Sequence, residues 1–274
     1  MSKDGELTPA EVSSFESGID VIGDIAIVKL RPGTQGKEAR LAAAVMHEMK
    51  NVKGVYGQEG GIEGDYRLRS LRHLGGERRT STVHKENGLR LKVDVETCYF
   101  SPRLSTERLR IAELVKDGEK VLNMFAGVGP FSILIARRGK RAGTAVVSCE
   151  LNDAAFDLHL ENNMLNKVEG NVEMVRGDAK ELLSLLSDKP RFDRILMPHP
   201  SQSNVFLLTA LALLKPHGVV HYYRHVTGRN LGEAEQNLRT EVGATAPKAV
   251  VGAIRKVREI GPRYVELVAD VKPS

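Results

Sequence analysis

The chain has 274 residues, 41% hydrophobic and 27% charged, with a formal net charge of +5, the balance of a water-soluble protein long enough for two domains with their own cores. No apolar run approaches the roughly 20 residues that span a bilayer, and the N-terminus is polar and acidic, so no membrane association and a cytoplasmic location are expected. Two cysteines, Cys98 and Cys149, speak against a disulfide framework or a four-ligand zinc site, and the eight histidines are scattered without metal-ligand spacing, so no metal is expected.

Residues 1–16 are polar without an apolar period and are predicted to be a frayed lead-in. Residues 21–30 alternate as a strand, and 37–50 have helical period with Leu41, Val45 and Met46 on one face. Residues 51–100 read as short strands broken by glycines, which makes a small α+β module. From Arg67 to Arg110 there are eleven Lys/Arg against five acids, while the rest of the chain carries −1. A basic block beside a cofactor domain is the footprint of a polyanion, nucleic acid being the natural candidate. Arg78 and Arg79 are its expected phosphate contacts. A solvated basic face stays open as the alternative, because Tyr66, Tyr99 and Phe100 are the few aromatics present for stacking.

The chain is expected to divide near Thr106, giving a small α+β domain at 1–106 and a Rossmann-like α/β domain with a doubly wound sheet at 107–274. A helix at 107–115, with Thr106 as a possible N-cap, leads into the apolar strand Val121-Leu122-Asn123. Met124-Phe125-Ala126-Gly127-Val128-Gly129-Pro130 then makes a turn with glycines two apart, and a helix follows at 131–138. Glycine lets such a turn approach a ligand closely, because it lacks a Cβ and tolerates positive φ. Phe125, Gly127, Val128, Gly129 and Pro130 are the cofactor-binding residues expected there.

Strand 145–149 ends at Glu150 and Leu151, where a βα fold places the acid that accepts from a ribose diol. After a helix at 154–163 and a strand at 172–175, Asp178 and Ala179 are placed to meet an adenine. A strand at 194–197 ends in Pro198-His199-Pro200, rigid backbone at the sheet edge where ligands of open α/β sheets bind. The third glycine of a dinucleotide fingerprint is missing, with Phe131-Ser132 in its place, which favours S-adenosylmethionine over NAD. Strands at 219–223, 249–257 and 264–269 and a helix at 231–240 complete the half, the last two strands as an edge hairpin.

His84-Lys85-Glu86-Asn87-Gly88, Tyr99-Phe100-Ser101-Pro102-Arg103-Leu104-Ser105-Thr106-Glu107-Arg108 and the Gly127 turn closely resemble the archaeal and eukaryal tRNA guanine-37 N1-methyltransferases, over residues 21–271. The resemblance implies a short form without the additional N-terminal domain of longer members, acting as a monomer on the tRNA anticodon loop. It implies Arg67 and Glu107 as the catalytic pair, Glu107 the base and Arg67 the stabiliser of O6, with Tyr99 beside cofactor and target base. Arg103 and the Pro198-His199-Pro200 segment are implied at the substrate, with Pro198 standing where the family has Asn. Read without the family, Glu107 is a first-turn helix acid and Arg67 a phosphate contact. Three activities stay open: methylation of guanine 37 or its tricyclic derivative, aminocarboxypropyl transfer from the same cofactor, and tRNA binding without catalysis.

Overall fold

Gly23 and Asp24 interrupt the apolar alternation of residues 19–29, and the chain turns there. In the computed structural model, which describes residues 18–30, 36–64, 66–186 and 192–274, β1 (Ile19–Ile22) and β2 (Ile25–Lys29) form an antiparallel hairpin with Gly23 at φ +59°. The single strand expected at 21–30 is therefore two, since left-handed backbone is favourable at glycine and Asp24 is held by the Thr82 hydroxyl at 2.6 Å. The lead-in expected at 1–16 lies outside the described residues. β3 (Gly54–Glu63) runs parallel to β2, and β4 (Leu68–Gly76) antiparallel to β3. Leu41, Ala42 and Val45 of α1 (Glu38–Glu48) seal this four-stranded sheet against Val28, Val55 and Leu74.

β5 (Ser81–Glu86) and β6 (Leu89–Asp94) form a separate hairpin. Asn87 (φ +46°) and Gly88 (φ +75°) turn it, the pairing that a tight hairpin with right-handed twist requires. The hairpin docks on α4 (Asp153–Leu165), where Asn162 and Asn166 pair with the backbone of Lys92 and Arg90. One apolar core accordingly runs from Ile22, Ile27 and Tyr56 through Leu89 and Leu91 into the second half at Val121 and Ile133.

That half is a seven-stranded sheet in the order β12-β13-β11-β10-β7-β8-β9. β7 (Lys120–Asn123), β8 (Ala145–Glu150), β9 (Val172–Arg176), β10 (Phe192–Met197) and β11 (Leu214–Thr227) are parallel, and β13 (Tyr264–Lys272) is antiparallel to both β11 and the edge strand β12 (Val250–Gly261). α2 (Ser105–Leu114), α3 (Pro130–Gly139) and α4 cover one face; α5 (Leu182–Leu185), α6 (Ser203–Leu213) and α7 (Leu231–Thr245) cover the other. α2 starts at Ser105 behind Leu104, so Thr106 lies inside the first turn rather than capping it. α6 has no periodic signature in the sequence, because Val205 to Leu213 is apolar nearly all round. Among the described residues no helix is long and apolar enough to cross a membrane.

The strand order reverses between β7 and β10, which opens a crevice at their carboxyl ends. Gly129, at φ +92°, ends the turn above it and caps α3. A Cβ there would sit 2.3 Å from Cδ2 of His159, whose ring is wholly buried beneath the turn. Gly129→Ala is therefore expected to lower stability by roughly 1–3 kcal/mol from backbone strain alone, with further loss from the clash. Denaturant unfolding checks this, and a variant as stable as the parent would show that the turn is not held as described.

Candidate active site

The crevice is lined by Phe125 and Gly127 of the β7 turn, Glu150 and Leu151 after β8, and Asp178 and Ala179 after β9, with Tyr99 and Arg67 on its rim. Glu150 anchors it: Oε2 accepts from the Gly127 N–H at 2.6 Å and Oε1 from the Asn152 N–H at 2.8 Å. Burial pushes the Glu150 carboxyl above its usual range, opposed by the backbone N–H groups of Asn152, Gly127 and Leu151. Asp178 Oδ1 accepts from the Lys180 N–H at 2.9 Å. Val128, Gly129 and Pro130 are buried behind the wall rather than lining it; the Val128 carbonyl accepts from Asn162 at 3.0 Å. They shape the turn without forming its surface. Lys180, Gln202 and Phe206, which no motif of the sequence marks, also line it.

This wall fits a nucleoside. Gly127 is left-handed at φ +54°, and the nearest atom to a Cβ placed there is the Tyr99 carbonyl at 3.8 Å. That gap is the space a close-lying ligand takes. The Glu150 carboxylate retains acceptor capacity beyond its backbone N–H bonds for a diol hydroxyl. Phe125 and Phe206 meet edge to face at 5.0 Å and supply an apolar flank.

A second cleft opens beyond the rim and shares Arg67, Tyr99, His199 and Gln202 with the first. Arg67 is buried at φ +56° with its guanidinium 4.5 Å above the Tyr99 ring, and among the described residues its Nε has no hydrogen-bond partner. A buried guanidinium nitrogen without an acceptor, on strained backbone, is a feature expected where a ligand supplies the acceptor. Arg103 lies in the second cleft and shares Asp20 with Arg69, at 2.6 and 2.8 Å. Burial opposes ionisation of Asp20, but the two guanidiniums hold its carboxyl below the usual range. Pro198 and His199 also line the crevice, the His199 ring lying 5.1 Å from that of Phe125. Pro200 stands back from both clefts, its carbonyl accepting from the His225 N–H and from Arg224.

Three more expected residues, Glu107, Arg78 and Arg79, also sit apart from the clefts. Glu107 is buried on α2 and lines neither cleft. Its Oε1 accepts from the Tyr223 hydroxyl and Arg110 Nη2, both at 2.6 Å, and its Oε2 from Arg110 Nε at 2.8 Å. Arg79 is bound within the fold by Asp24, Glu77 and the Ser81 carbonyl, and it and the exposed Arg78 lie away from the clefts.

Residues 82–245 match the TRM5/TYW2 methyltransferase domain, and residues 4–80 the TYW2 N-terminal domain. The chain is 38% identical, over 97% of its length and 78% of the relative's, to tRNA (guanine(37)-N(1))-methyltransferase Trm5b of Pyrococcus abyssi. It is 35% identical, over 75% of its length and 70% of the relative's, to the tRNA(Phe) (4-demethylwyosine(37)-C(7)) aminocarboxypropyltransferase of Pyrococcus horikoshii. The solved complex of aTrm5 and tRNALeu superposes with a TM-score of 0.81 at 32% identity, covering 95% of this chain and 73% of that one.

Because an acceptor must be ionised to hold a diol well, S-adenosylmethionine affinity should fall with pH as the raised Glu150 carboxyl protonates, starting above the ordinary glutamate pKa of about 4.3. Glu150→Ala should weaken binding about tenfold or more, since a charged hydrogen bond contributes roughly 1.5–3 kcal/mol. Calorimetry across pH checks both; unchanged affinity in Glu150→Ala rules out the ribose contact.

Proposed function

We propose, on the premise that the chain belongs to the TRM5/TYW2 methyltransferase family, that it methylates N1 of guanine 37 in the anticodon loop of tRNA. The observation that carries this reading is Arg67, stacked on Tyr99 at the junction of the two clefts with a buried nitrogen in want of an acceptor. A base entering from the second cleft meets that guanidinium as it reaches the first. The identity to the Pyrococcus abyssi guanine-37 enzyme supports guanine over other bases.

S-adenosylmethionine, the cofactor of this family, supplies a methyl group activated on a sulfonium. Guanine N1 carries a proton and is a poor nucleophile, so that proton must leave as the N1–methyl bond forms. The charge it leaves behind spreads to O6. Arg67 stabilises that oxygen with a planar fork of donors, and stacking on Tyr99 fixes the plane. Glu107 is the proposed proton acceptor, a role that rests on the Ser-Pro-Arg-Leu-x-x-Glu motif. Its present position sets a condition on that role: Glu107, held by Arg110 and Tyr223 outside both clefts, releases Arg110 and turns toward the cleft when the base is seated. Pro198 has no polar side-chain atom and no N–H, so this wall holds the base by shape and apolar contact.

Mass analysis of nucleosides from an unmodified tRNA transcript tests the assignment, with one added methyl at position 37 expected. A larger aminocarboxypropyl group would transfer the chain to the activity of its Pyrococcus horikoshii relative, and no product would leave a tRNA-binding protein. Arg67→Lys and Glu107→Gln should each slow single-turnover methylation, Glu107→Gln by roughly 10²-fold or more, with cofactor affinity retained. Pro198→Asn should leave the rate equal or higher. A parental rate in Glu107→Gln would return Glu107 to a structural role.

A further inference from the structure

Pairing inside the fold removes much of the basic segment between Arg67 and Arg110 from contact with a polyanion. Arg72 pairs with Glu38 and Glu59, Arg79 with Asp24 and Glu77, Lys92 with Glu161, Arg108 with Glu86 and Arg110 with Glu107. The second cleft keeps more of its charge: Arg69 and Arg103 share one carboxylate, Arg258 pairs with Glu266, and among the described residues Lys29 and Arg67 make no ion pair. Five Lys/Arg line it (Lys29, Arg67, Arg69, Arg103, Arg258) against two acids, Asp20 and Glu259. Asp20 is already shared by two arginines and Glu259 faces Lys256.

Its far rim is the β12–β13 turn, and that turn is braced from below. His225, Glu266 and Arg258 stand in register across β11, β13 and β12. Glu266 is buried and accepts from Arg258 Nε at 2.6 Å; Arg258 Nη1 reaches Ser101 at 3.3 Å. At the tip, Ile260 is exposed, and Arg263 is exposed at φ +57° with its carbonyl accepting from the Gly228 N–H at 3.1 Å. The Tyr264 ring is held edge-on by His225 at 5.4 Å. An apolar, a cationic and an aromatic side chain thus share one braced tip beside a cationic cleft.

We propose that the β12–β13 tip, with Lys29 across the cleft, is the platform that receives the unpaired nucleotides flanking the target base. The inference rests on the tRNA substrate proposed above. Unpaired RNA bases stack on aromatic rings and guanidinium planes, while Lys and Arg neutralise the intervening phosphates. Ile260 and Tyr264 supply the surface for stacking, and Lys29 and Arg263 the charge. RNA contact is thereby assigned to the C-terminal edge hairpin rather than to Arg78 and Arg79.

Equilibrium binding of an unmodified tRNA transcript over a range of salt tests this. Arg263→Asn keeps a residue that tolerates left-handed backbone, and combined with Lys29→Gln it should flatten the dependence of log K on log salt by roughly 1 to 2. Tyr264→Leu should weaken binding by roughly 5- to 150-fold at each salt, as expected for loss of one stacked base. Arg78→Gln should bind as the parent does, and all variants should keep parental affinity for S-adenosylmethionine. If Tyr264→Leu loses the cofactor through misfolding, the Lys29→Gln/Arg263→Asn pair decides alone. Parental affinity and slope in that pair, with the parent binding and methylating tRNA, overturns the platform and leaves the proposed function standing. A parent that binds no tRNA overturns both.

Discussion

Asn162 is wholly buried on α4, and both ends of its amide are engaged: Nδ2 donates to the Lys92 and Val128 carbonyls, both at 3.0 Å, and Oδ1 accepts from the Lys92 N–H at 2.7 Å. Through this one side chain the β5–β6 hairpin, helix α4 and the glycine turn are tied together. Asn166 repeats the pairing with Arg90, at 3.0 and 2.7 Å. The match is geometric. Four residues along a helix rise about 6 Å, and two residues along a strand rise about 6.6 Å. Two asparagines at i and i+4 therefore meet alternate residues of β6 as a neighbouring strand would, and satisfy an edge that would otherwise be buried without partners.

The motifs that carry the resemblance are bound to one another in the same way. Glu86 receives Arg108 through two 2.6 Å bonds, and Asn87 Nδ2 donates to the Ser105 carbonyl at 3.0 Å. His84 accepts the Gly23 N–H at Nδ1, 3.1 Å away, and faces Glu86 with Nε2 at 3.5 Å. His-Lys-Glu-Asn-Gly is thus a clip from the hairpin to the start of α2, which also carries Glu107. Removing either partner of the buried Glu86–Arg108 pair would leave a buried charge uncompensated, a loss of roughly 3–5 kcal/mol. The segment between the hairpin and α2 carries Tyr99, with Arg67 over its ring, and is held at Ser101, whose carbonyl accepts from Arg108 Nη2 at 3.0 Å.

Much of this was legible in the sequence because it depends on local chemistry. The Gly127 turn, Glu150 and Asp178 stand at successive strand ends, and the structure brings them to one crevice. Other features depend on pairings between distant residues, which a single sequence does not display. Asn162 and Asn166 read as ordinary helix polars until β6 lies beside them. Arg79 reads as free charge until Asp24, 55 residues away, is placed next to it. Glu107 reads as a first-turn helix acid until Tyr223, 116 residues away, is placed beside it with its hydroxyl. The break at Gly23 shows in the sequence only as one glycine within an alternating run, and alternation continues on both sides of it.

If Asn162 joins the small half to the cofactor turn, its loss must be felt on both sides at once. Hydrogen exchange on Asn162→Leu, read together with S-adenosylmethionine affinity, tests this most directly. Three backbone groups would lose their partner at a cost of roughly 1–3 kcal/mol each. The predicted result is that protection of the Lys92 amide and cofactor affinity fall together while the central strands β7 and β10 stay protected. Loss of Lys92 protection with parental cofactor affinity would contradict the account, because the turn would then be held without the hairpin.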